Sequence, residues 1–130
     1  MRTTGMRFFD LVVIAFGLGR IAIGLAPFVA AKSTSRMLGF PMSHDTATAR
    51  LMARFFGVRD IGLGVLAFYA VAHPEAASFV FVFNACMDAG DLFSVTIPII
   101  KRQGIDRAAA LSGLMAATGG LGWLILWLVA

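Results

Sequence analysis

The sequence contains few charged residues and very few side chains that catalysis or metal binding would need. Charged residues make up 14% of its 130 residues and hydrophobic residues 59%, whereas about a quarter of the residues in a soluble domain are charged. This composition excludes a water-facing globule and a disordered chain. The single cysteine, Cys86, excludes an internal disulfide and, with only two histidines, argues against a Cys/His metal site.

Clustered basic charge and catalytic motifs are also absent from the sequence. The formal net charge is +4, but the 11 Lys and Arg residues are scattered along the chain, whereas a nucleic-acid-binding surface needs them in one patch. The sequence has no nucleotide-binding loop, no nucleophile elbow and no zinc motif. We therefore expect no catalytic residues, metal or cofactor, and no nucleic-acid partner.

Four long apolar runs are the main feature of the chain. About 20 helical residues cross the roughly 30 Å hydrocarbon core of a bilayer, and the runs at about 8–30, 51–72, 76–100 and 108–130 reach that length. They do not alternate between polar and apolar residues, as barrel strands would. The sequence predicts an all-α fold with a single transmembrane domain over residues 1–130, in which the first run is a true span rather than a cleaved signal peptide.

The connections between the runs predict how the helices are arranged. Two connections, 73–75 and 101–107, are short, which makes neighbouring helices antiparallel and favours a four-helix bundle. The longer loop at 31–50 contains Asp45 and Thr46, residue types that cap helices, just before the second span. We expect a short helical turn there.

The distribution of Lys and Arg predicts the orientation of the chain. Basic residues favour cytoplasmic loops, and only Arg2 and Arg7 lie on the side that holds both termini. The opposite side has six such residues: Lys32, Arg36, Arg50, Lys101, Arg102 and Arg107. We therefore expect a multi-pass protein of a bacterial inner membrane, surrounded by membrane lipids, with both termini in the periplasm.

Ionisable residues inside the spans are the candidate functional residues. Each costs about 2.5–3.5 kcal/mol at the centre of a membrane helix, so we expect them to be paired, hydrated or close to an interface. Three are positive and three are negative, which predicts a balanced set: Arg20, Arg54, Arg59, Asp60, Asp88 and Asp91.

Helical spacing predicts which of these residues meet. Asn84, Asp88 and Asp91 are four and three residues apart, so they share one face of the third span. Repulsion between carboxylates one turn apart predicts that Asp88 or Asp91 carries a proton. We expect Arg20 to bridge Asp60 and one of these aspartates at mid-span.

Two further arginines have separate predicted roles. Arg59 is about 100° around the helix from Asp60, so we expect it to reach a different neighbour, Asp91. Arg54 lies within a turn of the predicted start of its span and can extend its charge to the interface.

Small residues at spacings of three and four mark the predicted packing faces of all four spans. Such residues let membrane helices approach closely. We expect close helix contacts at Gly17, Gly24, Gly57, Gly64, Gly113 and Gly120. Near the end of the chain, Trp123 and Trp127 predict an aromatic belt at the outer membrane interface.

The charged cluster has two interpretations. The first is an ion network that fixes helix register and partner choice. The second is a functional site, either a relay for protons or cations or a polar site for the headgroup of a ligand. Balanced charges favour the first interpretation.

The run from Arg54 to Gly64, Arg-Phe-Phe-Gly-Val-Arg-Asp-Ile-Gly-Leu-Gly, resembles a motif of small bacterial four-span proteins. These form a domain-of-unknown-function family near the DoxX-like group. Arg20-Ile-Ala-Ile-Gly24 and Leu38-Gly-Phe-Pro41 extend the resemblance to roughly residues 16–95. The resemblance implies a fold rather than an activity.

The leading functional hypothesis is a non-enzymatic accessory subunit that binds other membrane proteins within a larger inner-membrane complex. By analogy, lipid importers of the mammalian-cell-entry type are one such class of complex. Two alternatives remain open. One is a component of a small proton- or cation-coupled transporter or channel, and the other is a DoxX-like membrane enzyme acting on a lipid or quinone.

Overall fold

The computed structural model describes residues 6–130, and within this range it contains helices and no strands. Four of the five helices described are long and apolar enough to cross a membrane, which confirms the predicted all-α membrane bundle. The helices are α1 (Phe8–Val29), α2 (Ala31–Leu38), α3 (Ala47–Ala72), α4 (Ala77–Ile100) and α5 (Asp106–Val129).

Two of the membrane helices begin earlier than predicted. α3 starts at Ala47 instead of residue 51, because Thr46 caps it by accepting a hydrogen bond from the Ala49 amide at 3.1 Å. α5 starts at Asp106 instead of residue 108. In both cases the first residues of the helix belong to the polar segment that precedes the apolar run, so hydropathy does not include them.

The long loop contains a helix that hydropathy does not predict. α2 is only eight residues long and mostly polar. Gly39 follows its last residue, and the φ of +87° there is a left-handed conformation that glycine adopts without strain. The short helical turn predicted before the second span is present as a 3-10 turn, Met42–His44. A Cβ on Gly39 would lie 3.0 Å from the Arg107 side chain, so the loop packs against the start of α5.

The bundle is built from two closely packed helix pairs, α1 with α3 and α4 with α5. In the first pair, a Cβ on Gly17 would lie 3.0 Å from the Gly64 carbonyl oxygen, and Gly24 and Gly57 are in contact at the backbone. In the second pair, a Cβ on Gly113 would lie 3.2 Å from the side chain of Val95. The close helix contacts are thus made at glycines. A larger residue at these positions would push the helices apart.

An aromatic cluster fills the core where the two pairs meet. Trp123 is 1% exposed. It packs edge-on against Phe16, with ring centroids 5.2 Å apart, and stacks on Phe81, with centroids 6.0 Å apart. Trp123 therefore faces the inside of the bundle, because this residue continues the inward-facing small-residue stripe of α5. Trp127 is 41% exposed and donates a hydrogen bond to Ser78 at 2.9 Å.

Candidate functional site

Arg20 occupies the centre of a buried polar network near the middle of the bundle. Its Nη1 donates to Asp60 Oδ1 at 3.2 Å and its Nη2 to Asp88 Oδ2 at 2.7 Å. Its Nε donates to Asn84 Oδ1 at 3.1 Å, and Nη2 also reaches the Asn84 carbonyl at 3.4 Å. One guanidinium on α1 thus links α3 and α4.

Neighbouring residues create the space and orientation that Arg20 needs. A Cβ on Gly64 would lie 3.2 Å from Cβ of Arg20, so the glycine on α3 lets the arginine enter the helix contact. Asn84 donates from Nδ2 to the Val80 carbonyl at 3.0 Å, one turn earlier in α4. That bond turns the amide oxygen toward Arg20, so this oxygen can accept from Nε.

α5 supplies space rather than charge to the network. A Cβ on Gly119 would lie 3.1 Å from Asp88 Oδ2, and a Cβ on Gly120 would lie 3.1 Å from Asp88 Cβ. Gly120 is among the predicted packing positions, whereas Gly119 is not. The sequence did offer a signal for this contact, namely two adjacent glycines in an apolar helix. Glycine destabilises a helix interior, so its presence there suggests that a neighbouring group approaches the backbone closely.

Arg59 and Asp91 form a second ion pair at the edge of the network. The guanidinium binds both carboxylate oxygens, at 2.8 and 2.6 Å, and it stacks over the Phe56 ring with Cζ 4.5 Å from the centroid. Arg59 Nη2 also lies 3.6 Å from Asp60 Oδ1, which connects this pair to Arg20. Within residues 6–130, the buried Arg59 Nε has no hydrogen-bond partner.

The structure brings together six of the predicted site residues, here called the arginine–aspartate network: Arg20, Arg59, Asp60, Asn84, Asp88 and Asp91. Arg54 lies outside the network. It is half-buried, and no carboxylate of residues 6–130 is within ion-pair distance of it. It is six positions before Asp60, which is about 9 Å along a helix.

The exclusion of Arg54 corrects the predicted charge balance. Two guanidinium groups face three carboxyl groups, which leaves one negative charge uncompensated if all are ionised. Of the two carboxyl groups predicted to hold a proton, Asp88 and Asp91, the second has an arginine of its own. The excess therefore lies at Asp60 and Asp88, which share Arg20 as their hydrogen-bond donor.

The loop before α3 holds a separate ion pair. Arg50 donates from Nε and Nη2 to the two Asp45 carboxylate oxygens, at 2.7 and 2.8 Å. The hydrogen bonds from this guanidinium hold the pKa of the Asp45 carboxyl below its usual 3.8. Asp45 therefore pairs with Arg50 just before α3, and Thr46 is the residue that caps the N-terminus of this helix.

The outer face of the second helix pair carries an apolar groove of about 390 Å³, here called the α4–α5 groove. Leu92 and Leu121 flank it. Small side chains form most of its surface: Ala85, Ala89, Ala116, Ala117 and Gly120. The groove therefore offers a close approach to the backbone of two membrane helices.

Metal ligands do not cluster in the part of the chain that the structure describes. No group of three or more His, Cys, Asp or Glu side chains is arranged to hold a metal ion within residues 6–130. The three aspartates of the network instead surround guanidinium groups.

Comparison with known families places the chain in one of them. Residues 17–128 match the family model described as a domain of unknown function, DUF4267. The chain belongs to this family. The match includes every residue of the arginine–aspartate network and of the α4–α5 groove. Neither the curated proteins nor the solved structures include a significant match to the chain.

Proposed function

We propose that this DUF4267 protein is a non-enzymatic accessory subunit of a larger complex in a bacterial inner membrane. In this proposal a transmembrane helix of a partner protein occupies the α4–α5 groove. The observation that carries the proposal is the groove itself, whose small and apolar side chains match the surface that membrane helices use to pack together.

The packing inside the bundle supports this choice of occupant. α1 and α3 associate through glycines that bring their backbones into contact. The α4–α5 groove presents small residues in the same way, on a face that no helix of residues 6–130 covers. A lipid tail would fill the groove without needing small residues, whereas a helix backbone requires them for close approach.

The finer parts of the proposal come from the sequence. Lipid importers of the mammalian-cell-entry type are the class of complex suggested by analogy, and the Lys and Arg distribution favours a periplasmic location for both termini. A relation to the DoxX-like group, with an enzymatic role on lipid or quinone, also stays a prediction of the sequence.

The test is native mass spectrometry of the protein released from its own membranes in mild detergent. We expect a discrete assembly containing a different membrane protein, and we expect Ala89→Leu to dissociate it by filling the groove. The matched control is Ala22→Leu, at an exposed position on α1. A monomer, an assembly of this chain alone, or an assembly indifferent to Ala89→Leu would contradict the proposal.

A component of a proton- or cation-coupled transporter is the second candidate function, and the uncompensated carboxyl group of the network favours it. Reconstituted vesicles should then show a proton or cation flux that Asp60→Asn and Asp88→Asn each abolish. Absence of flux in the unaltered protein, or a flux that neither substitution changes, would remove this candidate.

A further inference from the structure

The arginine–aspartate network contains one more carboxyl group than it has cations. Arg20 from α1 and Arg59 from α3 are its two positive groups. Its three carboxyl groups are Asp60 from α3 and Asp88 and Asp91 from α4. The network therefore has an uncompensated negative charge when every member is ionised.

The other groups that face the network are neutral. α4 contributes the Asn84 amide, which binds Arg20. α5 contributes Gly119 and Gly120 beside Asp88, and the Trp123 ring, whose centroid lies 5.9 Å from Cζ of Arg20. No titratable group from α5 joins the network within residues 6–130, so nothing in this part of the chain neutralises the third carboxyl group.

Water does not compensate the excess charge either. Asp60 is 1% exposed and Asp88 is 3% exposed, and both lie near the middle of helices that cross the membrane. A buried group whose charge lacks a partner changes its protonation state rather than remaining charged. The network is therefore expected to hold a proton.

The geometry decides where that proton resides. Asp91 binds Arg59 through both oxygens and is fully paired. Arg20 divides its two terminal nitrogens between Asp60 and Asp88. Arg59 Nη2 lies 3.6 Å from Asp60 Oδ1 without a hydrogen bond to it, so within residues 6–130 Arg20 is the guanidinium that donates to both carboxyl groups. We propose that Asp60 and Asp88 share one exchangeable proton, which makes the network a proton-binding site at the centre of the bundle.

Binding and release at this site are simple acid–base steps. A carboxylate oxygen of the pair forms an O–H bond with a proton taken from water, and release breaks the same bond without any change in oxidation state. Because the two aspartates interact through Arg20, the proton belongs to the pair rather than to one residue. The proposal is independent of the subunit role.

The test is infrared spectroscopy of the purified protein at neutral pH, with the aspartate carboxyl carbons labelled with ¹³C. We expect a C=O band of protonated aspartic acid equivalent to one group per chain, identified by its isotope shift. Asp60→Asn and Asp88→Asn should each remove it, because two carboxylates then face two arginines. Asp10→Asn, whose carboxyl pairs with Arg7 outside the network, should leave it intact.

A variant with the opposite charge change makes the test sharper. Arg59→Gln leaves one cation for three carboxyl groups, so the band should double in intensity. Absence of the band from the unaltered protein would overturn the proposal without any variant. A band that persists in both Asn variants, or that appears only after Na⁺ is removed from the buffer, would also overturn it.

Discussion

Nη2 of Arg20 lies 2.7 Å from Oδ2 of Asp88, across the contact between the two helix pairs of the bundle. The same guanidinium binds Asp60 on α3, so it joins the two pairs, which also meet at the Arg59–Asp91 ion pair and at the aromatic cluster around Trp123. Removing one partner of a buried pair leaves a charge without compensation, which costs several kcal/mol. The network is therefore expected to hold the two pairs together.

Gly24→Ala should weaken the contact between α1 and α3. The added methyl group would meet the Gly57 carbonyl and the Ile61 amide, and neither backbone group can move aside easily. Overpacking of this kind costs about 1–3 kcal/mol, so we expect a lower midpoint of thermal unfolding in detergent.

Gly19→Ala is the matched control for this change, because nothing lies within 4 Å of a Cβ at that position of the same helix. It should leave the midpoint unchanged or raise it slightly, since alanine is the better helix former. If both variants lowered the midpoint of thermal unfolding by the same amount, α1 and α3 would not be in backbone contact at Gly24.

Trp123→Ala should destabilise the protein far more than Trp127→Ala. The indole of Trp123 fills the core between Phe16 and Phe81, and truncating a buried aromatic residue costs about 3–5 kcal/mol. Trp127 is largely exposed and loses one hydrogen bond to Ser78. Chemical unfolding in mixed micelles measures both, and similar losses would contradict the assignment of Trp123 to the core.

The Asp45 carboxyl should titrate below pH 3.8, because hydrogen bonds from Arg50 favour its ionised form. A carboxyl whose pKa falls on folding stabilises the fold above its unfolded pKa. That contribution is lost as the pH falls through the lower, folded pKa. Carbon NMR of Asp45 in micelles measures the midpoint, which Arg50→Gln should return to about the usual value. An unchanged midpoint in this variant would contradict the ion pair.

The bundle and much of the network could be predicted from the sequence because two strong physical constraints apply. A bilayer fixes the length of an apolar helix, and the cost of a charge at mid-membrane requires a partner. Helical spacing places Asn84, Asp88 and Asp91 on one face, which restricts the partners available to Arg20.

The features that could not be predicted depend on helix ends and on individual contacts. α2 is polar and only eight residues long, so hydropathy gives no sign of it. The polar first turn of α3, from Ala47 to Arg50, lies outside the apolar run, so hydropathy placed the start of this helix four residues too late. Trp123 lies three residues after Gly120 and continues the small-residue stripe of α5, so this spacing was a signal for an inward-facing side chain that the general preference of tryptophan for the interface obscured.

The most direct test of the account is a charge exchange between Arg20 and Asp60. Arg20→Asp places a fourth carboxyl group in the network and should strongly reduce the amount of folded protein in the membrane. Arg20→Asp combined with Asp60→Arg restores opposite charges on α1 and α3, so quantitative immunoblotting of membranes should show that much of the lost protein returns. If the double variant accumulates no better than Arg20→Asp alone, these residues do not neutralise one another and the network does not hold the bundle together.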